Sequence, residues 1–148
     1  MNERDAPQKL WSLPSWLVSR AALRATRAVD AAGVRRKPFS VLVALNEAGP
    51  ASQADLGRRL ALDRSDLHAI VAELERDGLI DRERDPDDAR RNRVKLTARG
   101  RQQLRRLEAK VDSAQDDLLA PLTKAERADL TRLLTRVVEH HAQRDAAE

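Results

Sequence analysis

The chain has 148 residues, 41% of them hydrophobic, with only five glycines and six prolines, enough for one modest, helix-rich domain. Its net charge is +4 and 35% of its residues are charged, with both signs present, so an anionic partner is favoured but the location of the charge matters more than its sum. The absence of cysteine excludes disulfides, thiolate metal sites and cysteine-based redox sensing, and no signal-like run or stretch of about 18 apolar residues is present, which implies a cytoplasmic protein with no membrane partner.

Residues Met1 to Gln8 are polar and read as unstructured. Pro14 suits the first turn of a helix running through WLVSRAALRATRAVDAA and stopping near Gly33, because proline lacks the N–H that this turn leaves unused. A second helix, opened by Lys37 or Pro38, carries Phe39, Val41, Leu42 and Leu45 and ends at Gly49-Pro50. Ser52-Gln53-Ala54-Asp55 has the form of a capping box, with an acid at the third helical position, and starts a short helix whose Leu56 and Leu60 face inward.

Asp63 is a good N-cap for the next helix, its carboxylate placed to accept from the N–H of Ser65 or Asp66, and Gly78 stands where a left-handed C-cap belongs. Between them Leu67, Ile70, Val71 and Leu74 line one face, while Arg64, Ser65, His68, Ala69 and Ala72 fall on or beside the other. Two short helices joined by a turn of three or four residues, the second amphipathic with a polar outer face, make a helix-turn-helix. Leu79-Ile80 and the run Arg93 to Thr97 then read as short strands joined through the turn residues Asp85-Pro86-Asp87-Asp88. From Ala89 to Leu107 the chain holds eight cations and no acid: Arg90, Arg91, Arg93, Lys95, Arg99, Arg101, Arg105 and Arg106. Phosphate is the obvious counter-charge.

In the tail, Leu104, Leu107, Val111, Ala114 and Leu118 step by three and four residues, as a heptad seam does. Pro121 breaks the run, Thr123 with Glu126 forms a capping box, and Leu130, Leu133, Leu134, Val137 and Val138 continue as the last helix. The domain next to the wing is too small to cover both seams, so they and the first helix are expected to bury against a second copy of the chain. Leu10, Leu13, Leu17, Leu118, Leu130, Leu134 and Val137 are the dimerisation candidates.

The segments SQADLGRRLALDRSDL, ELERDGLIDRERDPDDARR and VKLTARG match in type and spacing the MarR family of winged helix-turn-helix transcription regulators, and the resemblance covers about Leu10 to His141. It implies a mainly α fold of about six helices with a two-stranded β-wing. It further implies a homodimer built from the first and last helices, recognition helices in successive major grooves of a palindromic site, and wing arginines in the flanking minor grooves. A small-molecule pocket between the dimerisation and DNA-binding parts is implied as well. The corresponding division is one domain over 10–148, with 36–100 as the DNA-binding part and 10–33 and 101–142 as dimerisation helices. Three positions depart from the family: Asp66 stands where a hydroxyl residue is common, Ala69 where an arginine is, and Asp88-Ala89-Arg90 replaces Asp-Arg-Arg. Base preference therefore does not transfer.

Among the DNA-contact candidates, Arg90 at the wing tip leads, since a narrow minor groove attracts a guanidinium; the bland alternative is a solvated turn arginine paired with Asp88. Arg91 and Arg93 are candidates for phosphate, although strand alternation turns neighbouring residues to opposite faces. Arg64 can clamp a phosphate or read guanine, and Ser65 can donate to phosphate or base. His68 sits one turn into the helix on its outward side, with plain exposure as the alternative. Asp66 faces repulsion from DNA unless it accepts from cytosine N4, so support of the cap is the better reading. Ser52 and Gln53 can offer donors to phosphate at a helix N-terminus, though capping alone explains Ser52. Trp16, like Trp11, reads first as packing, with ligand stacking as the alternative.

No glycine-rich phosphate loop, nucleophile–base pairing or metal-spaced cluster is present, so neither an enzyme nor a cofactor is expected. His140 and His141 are adjacent and point about 100° apart on a helix, which makes joint metal ligation awkward. The expected function is a sequence-specific DNA-binding regulator, a homodimeric repressor released from a palindromic operator by a small-molecule effector. The alternatives are a winged helix used as a protein-interaction module and a DNA-binding regulator without ligand response.

Overall fold

The computed structural model describes residues 3–147. A 3-10 turn at Glu3–Asp5 precedes helices α1 (Gln8–Trp11), α2 (Pro14–Ala31), α3 (Arg36–Ala48), α4 (Gln53–Leu60) and α5 (Arg64–Arg76). Strands β1 (Ile80–Arg84) and β2 (Asn92–Leu96) follow, then α6 (Ala98–Leu118) and α7 (Lys124–Asp145). None of the described helices is long and apolar enough to cross a membrane.

The core is the meeting of α3, α4, α5, the hairpin and the start of α6. Val41, Leu42, Leu45, Leu56, Leu67, Ile70, Val71, Leu74, Ile80, Val94, Leu96 and Leu104 form one buried cluster, so the apolar stripe on each element faces the same interior. The hairpin is antiparallel with Ile80 opposite Leu96 and Arg84 opposite Asn92. Ala51, just before α4, exchanges backbone hydrogen bonds with Val94 at 3.0 and 2.8 Å and so fastens the loop that positions α4 to the wing.

Helix ends follow the expected chemistry in most places. Asp63 accepts from the Asp66 N–H at 2.8 Å. At the other end of α5, Gly78 takes φ 73°, while the Gly78 and Leu79 N–H groups donate to Glu75 and Leu74 carbonyls at 3.0 and 2.9 Å, the pairing of a Schellman stop. Thr123 and Glu126 cap α7 reciprocally.

Five expectations change. The region Met1 to Gln8 is not wholly unstructured: Glu3–Asp5 is a turn fastened by Glu3 to Arg24 at 2.8 Å, while Met1 and Asn2 lie outside the described residues. Helix α3 starts at Arg36, ahead of Pro38, because a proline in the first turn removes only an N–H that has no helical acceptor. The Ser52 box is one-sided: Ser52 accepts from the Asp55 N–H at 3.2 Å, but the Asp55 carboxylate pairs with Arg58 instead. Strand β1 runs on to Arg84, since its backbone is held by β2 rather than by an apolar pattern of its own. Finally, the α6 seam is partly covered within the chain: Leu104 and Ala114 are buried, while Leu107, Val111 and Leu118 stay half-buried, with α6 packed on α2 and α3.

Helix α7 differs. No residue on it is buried, and Leu133, Leu134, Val137 and Val138 are 40–67% exposed. On α2 and the residue preceding it, Leu13, Leu17, Val18 and Leu23 are also exposed. Arg127 ties the start of α7 to the end of α6 through Asp116 at 2.7 Å and the Leu119 carbonyl at 3.2 Å.

Candidate nucleic-acid interface

Helices α4 and α5 meet through a three-residue connection, Ala61-Leu62-Asp63, in which Ala61 takes a left-handed conformation at φ 51°. Leu62 N–H returns to the Gly57 carbonyl at 3.1 Å, and a side chain at Gly57 would crowd the Leu62 carbonyl. The close turn leaves an open groove between the two helices and the wing, lined by Gln53, Arg58, Leu62, Arg64, Ser65, His68, Arg82 and Asn92 among others.

Four of the candidates, Gln53, Arg64, Ser65 and His68, are thus brought together. Arg64 and His68 are exposed. The Ser65 hydroxyl donates to Asp63 at 2.9 Å. The Asp66 N–H and that hydroxyl, in this order, hold the Asp63 carboxyl below its ordinary value, so the cap stays anionic. Ser52 is nine-tenths buried with its oxygen committed to the cap, and it lies beneath the groove rather than on it. Gln53 is the member of that pair at the surface.

Asp66 does not join the groove. Its carboxylate pairs with Lys37 at the start of α3, and this contact raises the Lys37 pKa. Seven residues on, Glu73 pairs with Arg35 in the same way.

In the wing, Asp85 and Asp88 fold the loop back by accepting from the Asp87 and Arg90 N–H groups at 2.9 and 3.0 Å. These bonds use backbone, so the Arg90 and Arg91 guanidiniums carry no ion pair and stand exposed. Arg93 is different. It faces Glu83 across the strands at 2.6 Å, with Lys95 at 3.1 Å from the other carboxylate oxygen, and these two cations, Lys95 first, hold the Glu83 carboxyl below its ordinary value. Arg91 belongs to the loop and Arg93 to β2, so their separation reflects two backbone environments rather than alternation.

Arg58, Arg82, Asn92 and Lys37 were not among the sequence candidates. Arg82 is placed by its register opposite Val94 and by Glu75 at 2.7 Å, neither of which local spacing reveals. Trp16 is not among the residues lining the groove; it stands near the start of α2, its ring 5.1 Å from Trp11 and capped by the Arg20 guanidinium at 5.3 Å. The hollow between α2 and the DNA-facing helices is instead lined by Asp30, Arg35, Arg36, Lys37, Asp66 and Glu73, about 20 Å along α2 from Trp16 at 1.5 Å per residue. His140 and His141 pack edge to face at 5.1 Å, and no group of three or more metal-ligating side chains occurs among the described residues.

A helix-turn-helix with a basic wing, and unpaired guanidiniums at Arg64, Arg90 and Arg91, defines a DNA-binding regulator class. The MarR family model matches residues 32–91. A putative transcriptional regulatory protein for the hcr operon of Thauera aromatica is 37% identical over 95 residues, 64% of this chain and 57% of that one. The HTH-type transcriptional repressor NicR of Pseudomonas putida is 30% identical over 101 residues, 68% of this chain and 64% of that one. The chain therefore spans less than two thirds of the length of these relatives. The crystal structure of the PcaV transcriptional regulator from Streptomyces coelicolor, in complex with its natural ligand, superposes with a TM-score of 0.74 at 31% identity, covering 90% of this chain and 97% of that one. The protein belongs to the MarR family of transcriptional regulators, whose members are not enzymes.

Proposed function

We propose that the chain works in the cytoplasm as a homodimeric repressor, each copy laying α5 in the major groove of one half of a palindromic operator and its wing in the flanking minor groove. The observation that carries this reading is the pairing of opposites on one molecule. Arg64, Arg90 and Arg91 present unpaired guanidiniums from α5 and the wing loop, while α2 and α7 present exposed leucines and valines. The first suits phosphate and the second suits a second copy. In this reading residues 36–100 bind DNA, and 10–33 with 101–142 dimerise through Leu10, Leu13, Leu17, Leu118, Leu130, Leu134 and Val137.

The likeness to PcaV, solved with its natural ligand, supports an effector here too, and the half-buried Trp16, with Arg20 over its ring, is where we place a planar ligand. Movement of the terminal helices would change the spacing of the two recognition helices, which must match half-sites about one helical turn apart.

The test is a binding titration on the chain's own upstream DNA against random duplex at moderate salt. Sequence preference is expected, together with its loss on adding an effector drawn from a metabolite panel scored by tryptophan quenching. Equal affinity for both duplexes would refute the operator reading; preference untouched by every compound that quenches Trp16 would refute release.

A further inference from the structure

Helix α3 begins with three successive cations, Arg35, Arg36 and Lys37, at the end of a helix where positive charge is disfavoured by the macrodipole. Each is met by an acid from another part of the chain: Arg35 by Glu73, Lys37 by Asp66, and Arg36 by Asp30 at 3.8 Å. Two of those acids are on the recognition helix. Asp66 and Glu73 stand two turns apart on the edge of α5 that faces α3, whereas Ser65 and His68 line the groove.

We propose that Lys37 is a specificity-determining positioning residue of the DNA interface: it draws the Asp66 carboxylate to the α3 edge of the recognition helix and leaves the reading face to Ser65 and His68. The inference rests on the DNA-binding reading above. Asp66 is the third residue of α5, in the turn that approaches DNA first, and a carboxylate released there repels phosphate and accepts from cytosine N4. Lys37 prevents both by direct neutralisation. Arg35 and Glu73 repeat the contact further along the helix, while the rotation of α5 is set by its buried face of Leu67, Ile70, Val71 and Leu74. Both pairs are largely solvated. Their effect is therefore on where charge points, with little on stability.

The experiment selects binding sites from a random duplex pool for the wild type, Lys37→Met, Asp66→Asn, the double variant and Lys37→Arg, then measures affinity on the wild-type site. Lys37→Met should bind roughly fivefold more weakly, the upper range for an exposed charge pair, and its selected sites should gain a C·G pair at one position per half-site. Asp66→Asn and the double variant should both stay within about twofold of wild type, and Lys37→Arg should match it. If the double variant is as weak as Lys37→Met, Lys37 acts as a phosphate contact and the proposal fails. If Asp66→Asn alone loses preference at one base pair, Asp66 reads that base directly and the proposal fails. A wild type that selects no sequence overturns the DNA reading and this inference together. Thermal melting of each variant separates these results from misfolding.

Discussion

Glu83 and Arg93 sit directly opposite each other on the two strands of the wing, 2.6 Å apart, and Lys95 reaches the same carboxylate. Two cations of the acid-free run are thereby held by one acid from the neighbouring strand. Glu83→Gln should release both, raising affinity for duplex DNA at low salt and steepening its salt dependence, as fluorescence anisotropy over a salt series would show. The same substitution has a pH signature. The Glu83 carboxyl is held below its ordinary value of 4.5 by Lys95 and then Arg93, so its contribution to stability is present above that value and is lost as pH falls through the depressed one. The melting temperature of Glu83→Gln should therefore fall less than that of the wild type as pH is lowered from 5 toward 3.

Arg90 tests the wing from the other side, because its backbone is fixed by Asp88 at 3.0 Å while its guanidinium is unpaired. Arg90→Ala should leave the loop intact, weaken binding and reduce the salt slope by about one. An unchanged slope in the anisotropy titration would remove Arg90 from the contact surface.

The elements that could be read from sequence are those fixed by neighbours within a few residues. Asp63 and Gly78 delimit α5, and Thr123 with Glu126 delimit α7, because capping chemistry acts over a single turn. Ser52 and Asp55 have the same spacing, yet Arg58 lies one turn on and takes the acid. The α6 seam shows a different limit. A three-four repeat states that a face is buried and does not state against what; here α2 and α3 of the same chain both pack on it, with Leu104 in the shared core. The interface residues follow the same division. Gln53, Arg64, Ser65 and His68 were visible on their own helices, whereas Lys37, Arg82 and Asn92 reach the surface around α5 only through tertiary contacts and strand register.

Gly100 sits where α6 crosses the root of the hairpin, and a Cβ there would overlap the Leu79 carbonyl oxygen and lie 2.8 Å from Leu96 Cδ1. In an open helix, alanine would stabilise relative to glycine by about 1 kcal/mol. Here the clash reverses the sign. Gly100→Ala should destabilise the fold by about 1–3 kcal/mol, read as a lower melting temperature by circular dichroism.

Ala61 adopts φ 51° in the turn of the helix-turn-helix. A Cβ in the left-handed region already costs about 1–2 kcal/mol, so Ala61→Gly should stabilise by up to that amount, whereas a branched side chain adds to the strain and Ala61→Val should destabilise. Chemical denaturation of the pair checks this, and equal midpoints would show that the left-handed turn is not retained in solution.

Leu134 and Val137 lie one turn apart on α7 with 40% and 57% of their surfaces exposed, alongside Leu133 and Val138. A helix of 22 residues that buries none of them has little tertiary support, and in water most helix stability comes from packing an apolar face. If a second copy supplies that packing, Leu134→Asp with Val137→Asp places two carboxylates in an apolar interface, where unpaired charge is strongly disfavoured. Sedimentation should then show the wild type as a dimer and the double variant as a monomer. Operator affinity should fall with dimerisation, since each monomer reads only one half-site. The wing and α5 are far from the substitutions in the chain, so residual binding of the monomer to non-specific duplex should persist. A double variant that remains dimeric would place the self-contact elsewhere than on α7.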